Sequence, residues 1–264
     1  MQNLTVTLVQ TTLYWEDPAR NLELFTEKIS ALQEDTDLIV LPEMFTTGFT
    51  MKPQSAAEPA NGQALAWMKQ MAASRNCVVC GSVAVEDKGR FYNRFFWVRP
   101  EGSFETYDKR HLFTYAGENK DYVRGNGKLI VELKGWKIMP MICYDIRFPV
   151  WSRNRYRGKE GFDYDVMLYV ASWPAERSHT WRILLMARAI ENQSYVIGVN
   201  RLGADENKIQ YIGDSAVINP LGENLSNFLP NQEGMETVTL PRCQLDGFRD
   251  SFRAWADWDD FSLL

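Results

Sequence analysis

Short apolar runs recur along the chain, separated by stretches in which apolar residues return every three or four positions. LTVTLVQ, near the start, predicts a strand. Asp17-Pro18 then supplies a helix N-cap with proline at the first helical position. Leu22, Phe25, Ile29 and Leu32 follow at helical spacing. DLIVLPE is apolar enough to be buried on both faces and ends in Pro42-Glu43. A second helix is predicted over Gly62 to Arg75, with Leu65, Met68 and Met71 on one face. CVVCGSVAVED predicts a strand, and RFYNRFFWVRPEGSFETYDK a hairpin turning at Pro100-Glu101-Gly102.

The second half repeats the rhythm. KLIVELKGWKIMPMICYD predicts a hairpin turning near Lys134-Gly135, and Pro149 suits the start of a short helix. DVMLYVASW predicts a buried strand and AERSHTWRILLMARAIENQ a long helix. YVIGVNRLG, QYIGDSAVINPLGENL and METVTL complete the strands. No proline- or glycine-rich linker and no low-complexity segment divides the chain, so residues 1–264 are expected to form one domain. Strand–helix–strand units mixed with hairpins predict an α/β fold of two mixed sheets flanked by helices. The tail, residues 242–264, ends in FRDSFRAWADWDDFSLL; its aromatics predict packing either on the body or on a partner subunit.

Composition narrows the function. With 45% hydrophobic and 24% charged residues the chain is ordinary globular material, and its net charge of −5 argues against a nucleic-acid partner. No apolar run reaches the length of a membrane span and the N-terminus has no basic flank, so a cytoplasmic location and no membrane partner are expected. The four cysteines are too few for a disulfide framework. Cys77 and Cys80 form a C-x-x-C, but period-two alternation in a strand points them to opposite faces, and no second pair of ligands lies close by. A metal site is therefore not expected, and the pair is read as core thiols. Neither histidine suits a serine triad: His111 lies in DKRHLF, His179 in a helix, and no G-x-S-x-G elbow is present. The absence of both phosphate-binding loop patterns removes phosphoryl and hydride transfer.

Three chemically capable residues remain at strand ends. Glu43 follows DLIVLP, Lys109 follows the strand ending in TYD, and Cys143 follows IMPMI. Ligands of open α/β sheets bind beyond the strand C-termini. Taken singly, each is a solvated loop residue or a core thiol; three of complementary type, each behind its own strand, point to a site.

LPEMFTTGF, YDKRHLF and ICYDIRFPVWSR resemble, in order, the three signature segments of the nitrilase, or carbon–nitrogen hydrolase, superfamily. ARAIENQSYVIGVNR and GDSAVINPLGE resemble its downstream segments, and CYDIRFPVWSRN with the following Trp173-Pro174 is most similar to the bacterial omega-amidase branch. The resemblance implies a four-layer α-β-β-α sandwich, commonly paired into a homodimer, and a cofactor-free hydrolase of small amides such as 2-oxoglutaramate and 2-oxosuccinamate. Cys143 would be the nucleophile, forming a thioester and releasing ammonia. Glu43 would be the base, a task that calls for a carboxyl raised by burial. Lys109 would stabilise the oxyanion together with the Tyr144 backbone N–H.

The resemblance also implies a second carboxylate after the lysine. Glu118 is best placed, either holding Lys109 and receiving ammonia or standing in the loop as an ordinary solvated residue. Arg147 is placed either to hold a substrate carboxylate by a two-point contact or to pair with Asp145 and organise the turn. Phe45, Ser172 and Trp173 are expected to line the pocket, Ser172 where related sequences often carry Asn. Arg188 and Glu191 are expected to fix their helix rather than touch substrate. Two alternatives stay open: another substrate for the same machinery (carbamoylase, deaminated glutathione amidase or nitrilase), and an inactive dimeric scaffold on the same fold.

Overall fold

A computed structural model describes residues 2–263. Two mixed sheets lie face to face. The first runs, in spatial order, β14 (Gly234–Leu240), β1 (Leu4–Gln10), β2 (Leu38–Val40), β4 (Val78–Asp87), β5 (Arg90–Val98) and β6 (Phe104–Asp108), with β3 (Glu58–Pro59) beside β4. The second runs β13 (Ala216–Ile218), β10 (Tyr195–Asn200), β9 (Val166–Ala171), β8 (Trp136–Ile142) and β7 (Val131–Leu133). Helices α1 (Pro18–Ala31) and α3 (Gln63–Arg75) cover the first sheet, and α6 (Ser178–Asn192) packs on the second. Shorter helices are α2 (Pro53–Ala56), α4 (Glu118–Asp121), α5 (Pro149–Ser152) and α7 (Arg242–Ser251). The architecture is the expected α-β-β-α sandwich.

Period-two alternation builds the layers. In β2 and the residue after it, Leu38 and Val40 enter the core between the sheets, while Ile39 and Leu41 join Phe25, Ile29 and Met68 under the helices. A strand buried on both faces has no polar side to offer, which is why DLIVLP reads as continuous apolar sequence. The same alternation sends Cys80 inward and Cys77 outward to the helices, both as free thiols. Asp17 caps α1, its Oδ1 accepting from the Arg20 N–H at 3.1 Å.

One element departs from the expected strand set. β11 (Leu202–Ala204) and β12 (Gln210–Ile212) leave both sheets and pair as a separate ribbon. The ribbon ends at Gly213, whose φ is +80° and where a Cβ would come within 2.2 Å of the Gln10 side chain. The tail folds over the second sheet's end. From α7, Arg249 reaches Asp165 Oδ1 at 2.6 Å, the Gln193 carbonyl at 2.8 Å and the Tyr164 carbonyl at 3.0 Å, and Trp255 stacks 4.0 Å from Tyr156.

Strand direction decides which residues meet. β1, β2 and β4 are parallel, as are β8, β9 and β10, and β6 runs antiparallel to β5, itself antiparallel to β4. The C-terminal ends of β2, β6, β8 and β9 therefore bring Glu43, Lys109, Cys143 and Ser172 to one end of the sandwich.

Candidate active site

Each strand end is fastened by its neighbours. After β2 the backbone turns at Met44, at φ +44°, and is pinned to β4 by Met44 N–H donating to Ser82 Oγ at 2.9 Å and Phe45 N–H to the Ser82 carbonyl at 3.1 Å. Lys109 is held on both sides: its N–H donates to the Asn93 carbonyl at 3.0 Å and its carbonyl accepts from Gly125 at 2.9 Å. Position 125 must be glycine, since a Cβ there would lie 2.1 Å from the Asp108 carbonyl oxygen.

Cys143 sits where β8 gives way to a single turn of 3-10 helix, Cys143–Arg147, and its φ is +44°. A non-glycine residue in that region costs about 1–3 kcal/mol and persists only where the surroundings over-determine it. They do so through Asp145, fully buried beneath the turn. Its carboxylate accepts from the Ile142 N–H at 3.0 Å, the Tyr107 hydroxyl at 2.8 Å and the His111 N–H at 2.9 Å, and His111 Nδ1 lies 2.7 Å away. From α6, the Arg188 guanidinium donates twice to the Ile146 carbonyl, at 3.0 and 2.5 Å, while pairing with Glu191 at 2.9 Å. Arg188 thus clamps the cysteine turn as well as its own helix.

Behind the thiol lies a buried charge cluster. Lys109 Nζ is 2.8 Å from Glu43 Oε1 and 3.1 and 3.0 Å from the two oxygens of Glu118, all three side chains essentially inaccessible. Glu43 Oε1 also accepts from Asn93 Nδ2 at 2.8 Å, and its Oε2 from the Ser172 N–H at 2.8 Å. Glu118 Oε2 accepts from the Phe113 N–H at 2.5 Å. The loop carboxylate is therefore a buried partner of Lys109, not a solvated one. Burial disfavours the Lys109 ammonium, but Glu118 and Glu43 more than offset this and hold its pKa well above the ordinary range. Glu118 is raised, first by burial and then by the Glu43 charge, against the pull of Lys109.

The cluster lies beneath a cavity of about 130 Å³, which it reaches through Lys109. Cys143 and Lys109 open into it, and Tyr144, Arg147, Ser172 and Trp173 line it. Phe45 does not. Its ring packs 5.5 Å from Phe25 and 5.7 Å from Trp67 in the helix-side core, because the left-handed turn at Met44 returns the chain to that face; Phe49 lines the cavity instead. Arg147 does not pair with Asp145, whose oxygens are taken by Ile142, Tyr107 and His111; it lies over the Trp173 ring at 5.0 Å.

Two asparagines escape a reading of the sequence. Asn93 links Glu43 to Glu118, at 2.8 and 3.3 Å, from the middle of β5. Asn200, at the end of β10, accepts from the Trp173 N–H at 2.8 Å and donates to its carbonyl at 3.0 Å, fixing that wall. Their only trace in the sequence is a single amide in each strand.

The thiol has a measurable signature. Burial pushes the Cys143 pKa well up and the Glu43 charge adds to this, while Lys109 and the Ser172 N–H pull it down less strongly. The folded state thus favours the neutral thiol. Its contribution to stability is fully present below the unfolded cysteine pKa of about 8.5 and is lost as pH rises toward the higher folded value. Unfolding by urea between pH 8.5 and 10 under reducing conditions should show Cys143→Ala losing stability less steeply than the parent, by up to about 1.4 kcal/mol per pH unit. Identical slopes would contradict a buried neutral thiol.

Comparison with known proteins places the chain in a family. A carbon–nitrogen hydrolase family model matches residues 5–250. The omega-amidase YafV of Escherichia coli K12 is 46% identical over 263 residues, covering 100% of both chains. The 2-oxoglutaramate amidase of Bacillus subtilis 168 is 33% identical over 92% of this chain and 90% of its own. Among solved structures, a CN-hydrolase superfamily protein of Xanthomonas campestris, described with an arsenic adduct in its active site, superposes with a TM-score of 0.97 at 41% identity over the whole of both chains. In sequence and in fold, the chain belongs to the carbon–nitrogen hydrolase family.

Proposed function

We propose that the chain is an omega-amidase, hydrolysing the ω-amide of 2-oxo dicarboxylic acid monoamides such as 2-oxoglutaramate to the dicarboxylate and ammonia. The observation that carries the reading is that Cys143 and Lys109 line one cavity, with Glu43 and Glu118 buried against the Lys109 ammonium. The full-length likeness to a YafV omega-amidase and a 2-oxoglutaramate amidase supports the substrate class.

In the proposed mechanism Glu43 takes the Cys143 thiol proton as sulfur attacks the amide carbonyl carbon. Burial makes the thiol hold its proton more firmly than in water, which is why it needs Glu43 beside it as base. Lys109 Nζ, within hydrogen-bond distance of Glu43 Oε1 and both Glu118 oxygens, also borders the cavity, where its positive charge would face the oxyanion, with the Tyr144 N–H as a further donor. Collapse breaks the C–N bond, and Glu43 returns the proton to departing ammonia. Water then attacks the thioester, giving a proton to Glu43, and the acid leaves as sulfur is reprotonated. No redox step is involved, and the chemistry calls for no cofactor.

Glu118 acts through Lys109, as a positioning residue. Glu118→Gln should lower kcat by about tenfold to a hundredfold with little change in KM, since one ionic anchor of the ammonium is lost. Steady-state ammonia release checks this, and a kcat within twofold of the parent would remove Glu118 from the mechanism.

We read the chain as one domain that works as a cytoplasmic homodimer, the association its family resemblance implies. Among the described residues no helix is long and apolar enough to cross a membrane. The deciding experiment is ammonia release across 2-oxo amides, plain amides and carbamoyl amino acids. Preference for the 2-oxo amides is expected; carbon dioxide released from carbamoyl substrates would replace the reading with a carbamoylase, and no turnover of any of them with a scaffold.

A further inference from the structure

Two guanidinium groups face the cavity, and only Arg147 stands out in the sequence. Arg177 also lines it, from the short turn between Pro174 and α6. Its guanidinium lies over the Phe113 ring at 5.5 Å and the Tyr115 ring at 5.9 Å. Trp173 couples the two arginines: its ring carries Arg147 at 5.0 Å, and its Nε1–H donates to the Arg177 carbonyl at 2.8 Å. Arg147 has no ion-pair partner among the described residues. Arg177 meets only Glu176, a rim carboxylate whose side chain is 70% exposed, where water weakens the attraction.

The cavity's one lining acid, Asp205, forms no ion pair with either arginine. Asp205, on the ribbon, accepts from the Ile209 N–H at 3.0 Å and the Tyr211 hydroxyl at 3.1 Å, so both its oxygens are committed. Arg201 lies over the Tyr211 ring at 4.8 Å, on the same ribbon. The cavity therefore keeps two cations, Arg147 and Arg177, available to a ligand.

We infer that Arg177 is a specificity-determining residue which, with Arg147, reads the acid end of a 2-oxo acid amide and turns away the corresponding α-amino acid amide. This rests on the omega-amidase reading. With the amide carbon at Cys143, the far carboxylate and the adjoining 2-oxo oxygen present only acceptors to the two guanidinium groups, which are only donors. An α-ammonium in place of the oxo group puts a third cation there and replaces an acceptor by a donor. Rejection by like charge adds to selection by contact.

Equilibrium binding in the Cys143→Ala background tests this without turnover. Calorimetry with 2-oxoglutaramate and with L-glutamine should show Arg177→Gln weakening the first by about tenfold or more while leaving the second unchanged or tighter. Arg177→Lys should restore part of the preference. In the active chain Arg177→Gln should raise KM for 2-oxoglutaramate more than it lowers kcat. Equal weakening of both ligands, an unchanged preference, or binding of neither by the Cys143→Ala protein overturns the inference. Should the active chain release no ammonia from 2-oxoglutaramate, the omega-amidase reading falls, and the binding arm still decides the role of Arg177.

Discussion

Ammonia release by Cys143→Ala is expected to fall by about 10⁴-fold or more, since Cys143 is the only thiol among the residues lining the cavity. Cys77 and Cys80 are buried in the strand layers and Cys243 lies on the exposed surface of α7, so none can substitute. Folding should survive. The substitution removes one sulfur from a side chain that borders a cavity, and the turn is held by Asp145 and Arg188, not by the thiol. Stability at pH 7 should change by less than about 1.5 kcal/mol. Ammonia assays beside urea unfolding check both halves. Turnover within tenfold of the parent would remove Cys143 from the nucleophile's role.

Lys109→Met should fail differently, losing activity and stability together. Turnover is expected to drop by about 10³-fold, the scale of a lost oxyanion donor. The ammonium is also the only cation bonded to Glu43 and Glu118 among the described residues. Removing one partner of a buried ionic group typically costs about 3–5 kcal/mol, because charge is left without compensation. The remaining pair of carboxylates should relieve its repulsion by taking up a proton, so the variant's folded state binds a proton that its unfolded state releases above about pH 4.3. A raised folded pKa gives stability that is present at low pH and lost as pH rises, so the deficit should be larger at pH 8 than at pH 5. Urea unfolding of parent and variant at both values measures it. An equal deficit at both would show that losing the ammonium does not bring a proton into the site. The contrast between the variants separates chemistry from architecture: one deletes the reacting atom and spares the fold, the other deletes the charge that makes the site foldable.

That dependence explains how three acidic or cationic side chains are tolerated in a site closed to water. Each carboxylate oxygen has a donor: Lys109 and Asn93 on Glu43 Oε1, Ser172 N–H on Oε2, Lys109 on both oxygens of Glu118 and Phe113 N–H on one. Buried charge is stable only when paired and hydrogen-bonded.

Much of this is legible along the chain, because burial leaves local periodic traces. The helix expected over Gly62 to Arg75 forms from Gln63, the hairpin before Cys143 turns at Lys134-Gly135 as expected, and Cys77 and Cys80 part to opposite faces. Glu43, Lys109 and Cys143 stand out because a doubly buried strand that ends in a reactive side chain is a visible event in the order of residues. Asn93, Asn200, the seat of Phe45, the partners of Asp145 and the ribbon of β11 and β12 do not stand out. Each depends on which strands become neighbours, or on left-handed backbone at Met44, Cys143 and Gly213, neither of which has a periodicity to read.

The amino-acid order by itself thus determined the strands, the helices over them, and a thiol, an acid and an amine at three separate strand ends. Only the tertiary structure decided that these groups meet, that Glu118 is buried against Lys109, and that Arg147 stays clear of Asp145. The reason is one of range. A side chain's burial is fixed by neighbours a few positions away, whereas its charge partners are chosen across 66 positions in the Lys109–Glu43 pair, by the direction in which whole strands run.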